Sequence, residues 1–174
     1  MLDGDELREI GISQWGFLST GQLEFREEIR RICEGNSCRL YNTSWACPPA
    51  VGTLEDCRKA CLRFARAMVF NAVYPLADSF DWEGMLAGHR EFKKVCDRLF
   101  DRVKKEAETV LLLSNEGCGR CRKCTYPEAP CRFPERLFPS IEGFGLYVNK
   151  LAEAAGIRYM NGKNIVTYFG LLLF

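Results

Sequence analysis

The sequence predicts an α/β or α+β fold, with residues 1–174 forming a single domain in which a few-stranded sheet packs against helices. Three observations support this class: apolar residues recur at helical spacing, short continuous apolar runs alternate with those segments, and two irregular cysteine-rich segments interrupt the pattern. Hydrophobic residues make up 47% of the chain, enough for a core without disulfides. We expect the cysteine segments, residues 33–49 and 117–139, to meet at one end of the domain.

Five helices are predicted from apolar periodicity and from residues that favour helix ends. They cover about residues 5–11, 20–35, 53–64, 82–106 and 140–156. Thr53 and Ser140 are the expected N-caps of the third and fifth helices. Gly35 and Gly156 are expected where the second and fifth helices end. On the second helix Phe25, Ile29 and Ile32 would share one face.

The longest predicted helix carries an apolar stripe with a period close to 3.6 residues. The stripe consists of Trp82, Met85, His89, Phe92, Cys96, Leu99 and Val103. Cys96 is therefore expected in the core. His89, the single histidine, is expected to be partly buried and hydrogen-bonded rather than catalytic. Continuous apolar runs predict buried strands at residues 67–74, 109–114 and 165–173, and residues 159–162 have the composition of a hairpin turn.

Composition and charge exclude several classes of partner. The formal net charge is +1, so no general field draws in nucleic acid or an anionic membrane. No apolar run approaches the roughly 18–20 residues that span a bilayer. The acidic N-terminus is unlike a secretory signal, so a cytoplasmic location is expected. Phosphate-loop, dinucleotide-binding and nucleophile-elbow motifs are lacking, and whether the chain is an enzyme stays open.

The second cysteine segment is the strongest chemical signal. Cys118, Cys121, Cys124 and Cys131 have the spacing C-x2-C-x2-C-x6-C. It resembles the C-x2-C-x2-C-x3-C-P run of bacterial ferredoxins, with a longer last interval. Four basic residues lie among these cysteines, where they can offset the charge of a cluster: Arg120, Arg122, Lys123 and Arg132. The spacing predicts a [4Fe–4S] site, with a structural zinc site as the alternative.

The first cysteine segment offers Cys33, Cys38 and Cys47, and a proline follows the last of them. Their spacing is C-x4-C-x8-C, so the segment itself supplies three ligands. The fourth ligand is left open: Cys57 or Cys61 from the next helix, Cys131 from the other segment, or an iron position open to water or substrate. The neighbouring aromatic residues are expected to shield the clusters from water. They are Tyr41, Trp45 and Tyr126.

These motifs together resemble a family of bacterial and archaeal proteins, many of them from anaerobes, that are described as predicted metal-binding proteins. The resemblance covers about residues 33–174. It rests on the elements Trp45-Ala-Cys47-Pro48-Pro49, the triple cysteine run, Cys131-Arg-Phe-Pro134 and Pro139-Ser140-Ile141-Glu142 with Gly145. It implies a cysteine-ligated metal protein whose ligands are Cys33, Cys38, Cys47, Cys118, Cys121, Cys124 and Cys131. Cys57, Cys61 and Cys96 lie outside this pattern.

Three functions remain open from the sequence. The first is electron transfer by one or two [4Fe–4S] clusters between redox partner proteins in anaerobic metabolism. The second is an iron–sulfur enzyme or sulfur-handling protein that uses an iron without a cysteine ligand as a Lewis acid. The third is an interaction module that zinc stabilises.

Overall fold

The computed structural model describes residues 3–174, and its centre is a four-stranded antiparallel sheet. The strands are β1 (Gln14–Ser19), β2 (Arg66–Pro75), β3 (Leu111–Ser114) and β4 (Ile165–Leu173). Their order in the sheet is β1-β2-β4-β3. Because every pairing is antiparallel, the fold is α+β, the second of the two predicted classes.

The helices cover both faces of this sheet. Those described within residues 3–174 are α1 (Gly4–Ile10), α2 (Glu27–Glu34), α3 (Leu54–Leu62), α4 (Trp82–Val103) and α5 (Val148–Ala154). Even-numbered residues of β2, β3 and β4 pack against α1 and α4, and odd-numbered residues pack against α3 and α5. The central strands are thus buried on both faces, which explains their continuous apolar sequences.

Several predicted elements are confirmed. α1, α3 and α4 lie where the periodicity placed them, and β2, β3 and β4 match the predicted apolar runs within one or two residues. The Thr53 hydroxyl accepts a hydrogen bond from the Asp56 N–H at 3.1 Å, as expected of an N-cap. Within the long stripe of α4, Phe92, Cys96 and Leu99 are fully buried.

The prediction for α2 was wrong at its start. The helix begins at Glu27, because Phe25 pairs with Leu146 in an isolated antiparallel bridge. The Arg26 N–H also donates to the Gly145 carbonyl oxygen at 2.8 Å, which fixes extended backbone ahead of the helix. The predicted apolar face is broken as well, since Ile32 is 66% exposed.

The helix predicted over residues 140–156 is divided. A single 3-10 turn covers Glu142–Phe144, and α5 begins only at Val148. Gly145 separates them with a φ of 76°, in the left-handed region that favours glycine. A Cβ at this position would lie 2.2 Å from Leu54 Cδ1, so the break also lets the chain pass close to α3.

Two further expectations need correction, and one strand was missed. Residues 159–162 do not form a hairpin, because within residues 3–174 they follow α5 and lead into β4 rather than joining two strands. Trp82, the first residue of the predicted stripe, is 66% exposed at the start of α4. β1 was not predicted at all, since its sequence lacks a clear apolar alternation and only Leu18 within it is buried.

None of the helices within residues 3–174 has both the length and the apolar character needed to cross a membrane.

The close approach of β1 to the end of α5 gives a stability prediction. A Cβ on Gly16 would lie 1.9 Å from the Ala155 carbonyl oxygen, a backbone atom that cannot move independently. Gly16→Ala should lower the free energy of unfolding by about 1–3 kcal/mol, as overpacking does. Gly21→Ala is the matched control, because its nearest neighbour is 3.9 Å away. Equal urea midpoints for the two variants would contradict the close packing described here.

Candidate metal-binding sites

The second cysteine segment encloses a cavity of about 340 Å³. Cys118, Cys121, Cys124 and Cys131 all line this space, which we name the four-cysteine cavity. All four are free thiols of intermediate exposure. The chain begins its path around the cavity through Gly117 and Gly119, whose φ values are 68° and 64°. The spacing-based expectation that these four cysteines form one set is therefore consistent with their placement.

The first cysteine segment lines a separate, smaller cavity. Cys33, Cys38 and Cys47 border about 220 Å³, which we name the three-cysteine cavity. The segment is built from consecutive turns, such as those closed by the Asn36 N–H on the Cys33 carbonyl oxygen at 3.0 Å and by the Cys47 N–H on the Ser44 carbonyl oxygen at 3.3 Å. Cys47 is buried and Cys38 is exposed, so this cavity reaches from the core to solvent.

The two cysteine segments contact each other directly. The indole Nε1–H of Trp45 in the first segment donates to the Ala129 carbonyl oxygen in the second at 3.1 Å. The Trp45 and Tyr126 rings meet edge to face, with centroids 4.9 Å apart. Leu40 and Glu116 line both cavities. The two candidate sites are therefore neighbours that share a wall.

Pro139 and Ser140 connect the end of β3 to the first cysteine segment. The Ser114 N–H, at the end of β3, donates to the Pro139 carbonyl oxygen at 2.9 Å. The next residue of that segment, Ser140, donates its N–H to the Ala46 carbonyl oxygen at 2.8 Å. These bonds connect the edge of the sheet to the residue before Cys47. The first segment is thereby held against the rigid part of the domain.

A lysine on α4 is hydrogen-bonded to the residues at the end of β3. The Lys93 ammonium donates to Ser114 Oγ at 2.7 Å and to the Asn115 carbonyl oxygen at 2.9 Å. Burial lowers the pKa of Lys93. Its positive charge in turn acts to lower the pKa of both Cys47 and Cys118. The charge of Lys93 thus acts on both candidate sites. This role was not predicted, because Lys93 stands among ordinary helix residues in the sequence.

Burial is the main influence on the thiols deepest in the two sites. It raises the pKa of Cys33 to about 11, and it also raises the pKa of Cys47 and of Cys118. These three thiols are therefore protonated at neutral pH in the metal-free protein. Since thiolates rather than thiols ligate metals, metal binding here must release protons.

The other cysteines belong to the packed core. Cys57 and Cys61 lie in the apolar cluster beneath α3, and Cys96 lies in the cluster beneath α4. The Cys57 thiol donates to the Val51 carbonyl oxygen at 3.4 Å.

The cysteines considered as a fourth ligand of the first segment lie elsewhere. Cys131 lines the four-cysteine cavity together with the other three cysteines of its own segment. Among the described residues that line the three-cysteine cavity, Cys57, Cys61 and Cys131 do not occur.

Two carboxylates line the three-cysteine cavity instead. They are Glu116, two residues after the end of β3, and Glu142 in the 3-10 turn. Sequence reasoning did not assign either one to the site. In the sequence, Glu142 stands out only as part of the Pro139-Ser140-Ile141-Glu142 element. Because it is far from Cys47 along the chain, residue spacing could not indicate that both line one cavity.

Backbone and basic groups around the four-cysteine cavity have mixed roles. The Phe133 N–H donates to the Cys131 sulfur at 3.4 Å. Arg120, which was expected to offset cluster charge, forms an ion pair with Asp97 at 2.6 Å. Its charge is thus already partly balanced. Arg122 and Arg132 are exposed and line the cavity, and their role in offsetting cluster charge stays a prediction.

The donor set fits a thiolate-bound cofactor. Thiolates select soft metals and iron–sulfur clusters. The four-cysteine cavity of about 340 Å³ is far larger than the roughly 30 Å³ share of one water in the liquid, so it has room for a polynuclear group. Within residues 3–174, no three His, Cys, Asp or Glu side chains are grouped closely enough to hold a single metal ion.

Comparison with known proteins places the chain in a family. The family model described as "Predicted metal-binding protein (DUF2284)" matches residues 16–174. The chain belongs to this family. Metal binding is the property that its description names, and the ten cysteines of the chain agree with it. No curated protein and no solved structure matches the chain.

His89 borders the four-cysteine cavity of this family member, but not as the sequence predicted. Its Nε2 is buried and has no hydrogen-bond partner among the described residues, so the expectation of a hydrogen-bonded histidine was wrong for this atom. The ring packs on Tyr168 with centroids 5.6 Å apart. Burial, assisted by the charges of Lys93 and Arg90, lowers the pKa of His89 to about 4.

This pKa predicts acid sensitivity of the metal-free protein. With a folded-state pKa of about 4 against an ordinary value of 6.5, the unfolded chain binds the proton first as the pH falls. The contribution of His89 to stability is therefore complete above pH 6.5 and is lost progressively down to about pH 4. Urea unfolding at about pH 7 and pH 5 should show a smaller loss of stability for His89→Gln than for the wild type. Equal losses would contradict the prediction.

Proposed function

We propose that this metal-binding protein holds two [4Fe–4S] clusters, one at each cysteine set, and carries single electrons between partner proteins in anaerobic metabolism. The observation that carries the proposal is the pair of neighbouring cavities, one lined by four free cysteines and the other by three. Two cofactor sites that share a wall are suited to passing an electron from one to the other. A single structural zinc site would need only one of them.

The ligand spacing supports iron–sulfur over zinc chemistry. Cys118, Cys121 and Cys124 follow each other at intervals of three, the pattern of ferredoxin loops, whereas structural zinc sites use two separated pairs. Backbone N–H groups directed at sulfur, such as that of Phe133 on Cys131, stabilise the negative charge of a thiolate-bound cluster.

When bound, each cluster supplies a one-electron redox couple. The electron comes from a reduced protein donor and goes to an oxidised protein acceptor, so no bond or proton is exchanged with either. The chain's own residues shape the path. Leu40 and Glu116 separate the cavities, and Trp45 covers the four-cysteine side. The exposed basic residues Arg122, Lys123 and Arg132 offer a docking face to an acidic partner.

Metal and sulfide analysis of anaerobically purified protein tests the proposal. We expect about eight irons and about eight acid-labile sulfides per chain, as two [4Fe–4S] clusters require. Cys121→Ser should remove about half of the iron, since it takes one thiolate from a four-thiolate site. Cys96→Ala is the matched control, because Cys96 is a fully buried core residue that should affect stability and not iron content. Zinc without iron or sulfide would contradict the proposal.

Lys93 predicts an electrostatic coupling that redox titration can detect. Lys93→Met removes a positive charge that acts on both sites, so the oxidised states gain stability and both reduction potentials should become more negative. A unit charge at roughly 10 Å with an effective dielectric of about 20 contributes about 1–2 kcal/mol, on the order of 50 mV for one electron.

The control for this experiment is Lys94→Met. Lys94 is exposed and pairs with Glu91 at 2.7 Å, so solvent screens its charge. The reduction potentials of both variants are measured by following the EPR signal during the titration. Equal shifts in reduction potential for Lys93→Met and Lys94→Met would contradict a special role of Lys93.

A further inference from the structure

The three-cysteine cavity lacks an assigned fourth protein ligand. A [4Fe–4S] cluster is usually held by four cysteine thiolates, and this cavity has three. Cys57 cannot serve without leaving the core, because it is 1% exposed and its thiol is directed at the Val51 carbonyl oxygen. Cys61 is fully buried in the same cluster, and Cys131 faces the neighbouring cavity.

Glu142 is fixed beside the cysteine that lies deepest. Its Oε2 accepts a hydrogen bond from Ser140 Oγ at 3.0 Å. Ser140 is itself bonded through its N–H to the Ala46 carbonyl oxygen, one residue before Cys47. The next residue, Gly143, approaches Pro48 so closely that a Cβ would lie 3.1 Å from Pro48 Cδ. The turn thus follows the Ala46–Pro48 backbone and directs Glu142 to the cavity.

The backbone next to Glu142 is also held by a side chain of α2. The Arg30 guanidinium, which is 9% exposed on α2, donates to the Gly143 carbonyl oxygen at 2.5 Å and to the Gly52 carbonyl oxygen at 2.8 Å. α2 ends at Glu34, directly after Cys33. One buried side chain therefore connects the helix that carries Cys33 to the turn that carries Glu142.

The side chain of Glu142 lines the same cavity as Cys33, Cys38 and Cys47. A buried carboxylate is retained in proteins where it is paired or where it coordinates metal.

We propose that the Glu142 carboxylate is the fourth protein ligand of the cluster at the three-cysteine cavity. The assignment rests on the proposed function. It makes this site a three-thiolate, one-carboxylate site, unlike its four-thiolate neighbour. Glu116 lines the same cavity, but it is exposed and is not the carboxylate that accepts from Ser140. It therefore provides the matched control.

Glu142→Gln and Glu116→Gln are reconstituted with ⁵⁷Fe and sulfide in the full chain and compared with the wild type. In the wild type, Mössbauer spectra should resolve one iron of about eight as a subsite without a thiolate ligand. Glu142→Gln keeps an oxygen that can accept from Ser140 but loses the charged ligand. It should drop to about seven irons, with the EPR signal of a three-iron cluster after oxidation, while Glu116→Gln matches the wild type.

The outcomes separate this assignment from the proposed function. If Glu142→Gln keeps the wild-type iron content with unchanged Mössbauer and EPR spectra, the assignment of Glu142 is overturned, and the proposal of two clusters is unaffected. Eight thiolate-ligated irons in the wild-type Mössbauer spectrum do the same, even if the variant fails to fold. A wild-type chain without iron and sulfide overturns the proposed function, and the assignment with it.

Discussion

The hydrogen bond from the Ser140 N–H to the Ala46 carbonyl oxygen organises the functional end of the molecule. Ser140 also lies beside Ser114 in a parallel bridge, so a two-residue segment joins the edge strand β3 to the first cysteine segment. The turns within that segment are closed by local bonds alone, which fix its shape and not its position. This connection, supported by the hydrogen bond from Lys93 to Ser114, therefore helps to hold the segment against the sheet.

The sheet divides the ten cysteines into two chemical classes. Cys57, Cys61 and Cys96 project from helices onto its two faces, where burial raises the pKa of Cys61 and of Cys96 to about 12. Such thiols behave as small apolar residues. Of the seven others, Cys33 lies in the last turn of α2 and six stand on irregular backbone beyond the sheet. All of the seven except Cys47 retain some exposure. A thiol that must exchange its proton for a metal needs that access, and regular core packing would deny it.

The sequence predicted the elements whose cause is local. β2 and β4 follow from their own apolar runs, and Thr53 caps α3 through a residue three positions away. Predictions of helix bounds were wrong where a contact between residues far apart in the sequence determines the backbone conformation. The bridge from Phe25 to Leu146 delays α2, and the approach of Leu54 to Gly145 divides the helix expected after Ser140. Cysteine spacing likewise separated the two sets, while the contributions of Glu142 and Lys93 depend on tertiary contacts that no spacing encodes.

In the proposed two-cluster protein, the shared wall between the cavities has an electrostatic consequence. An electron added to one cluster would raise the energy of adding a second to its neighbour, because like charges repel more strongly in a partly buried region than in water. The charge of Lys93 acts on both Cys47 and Cys118 and would offset this repulsion on both sides. The charge of Glu142 acts on Cys47 in the opposite direction. Under the proposal the two clusters would therefore differ in ease of reduction, which would give an electron entering at one of them a preferred direction.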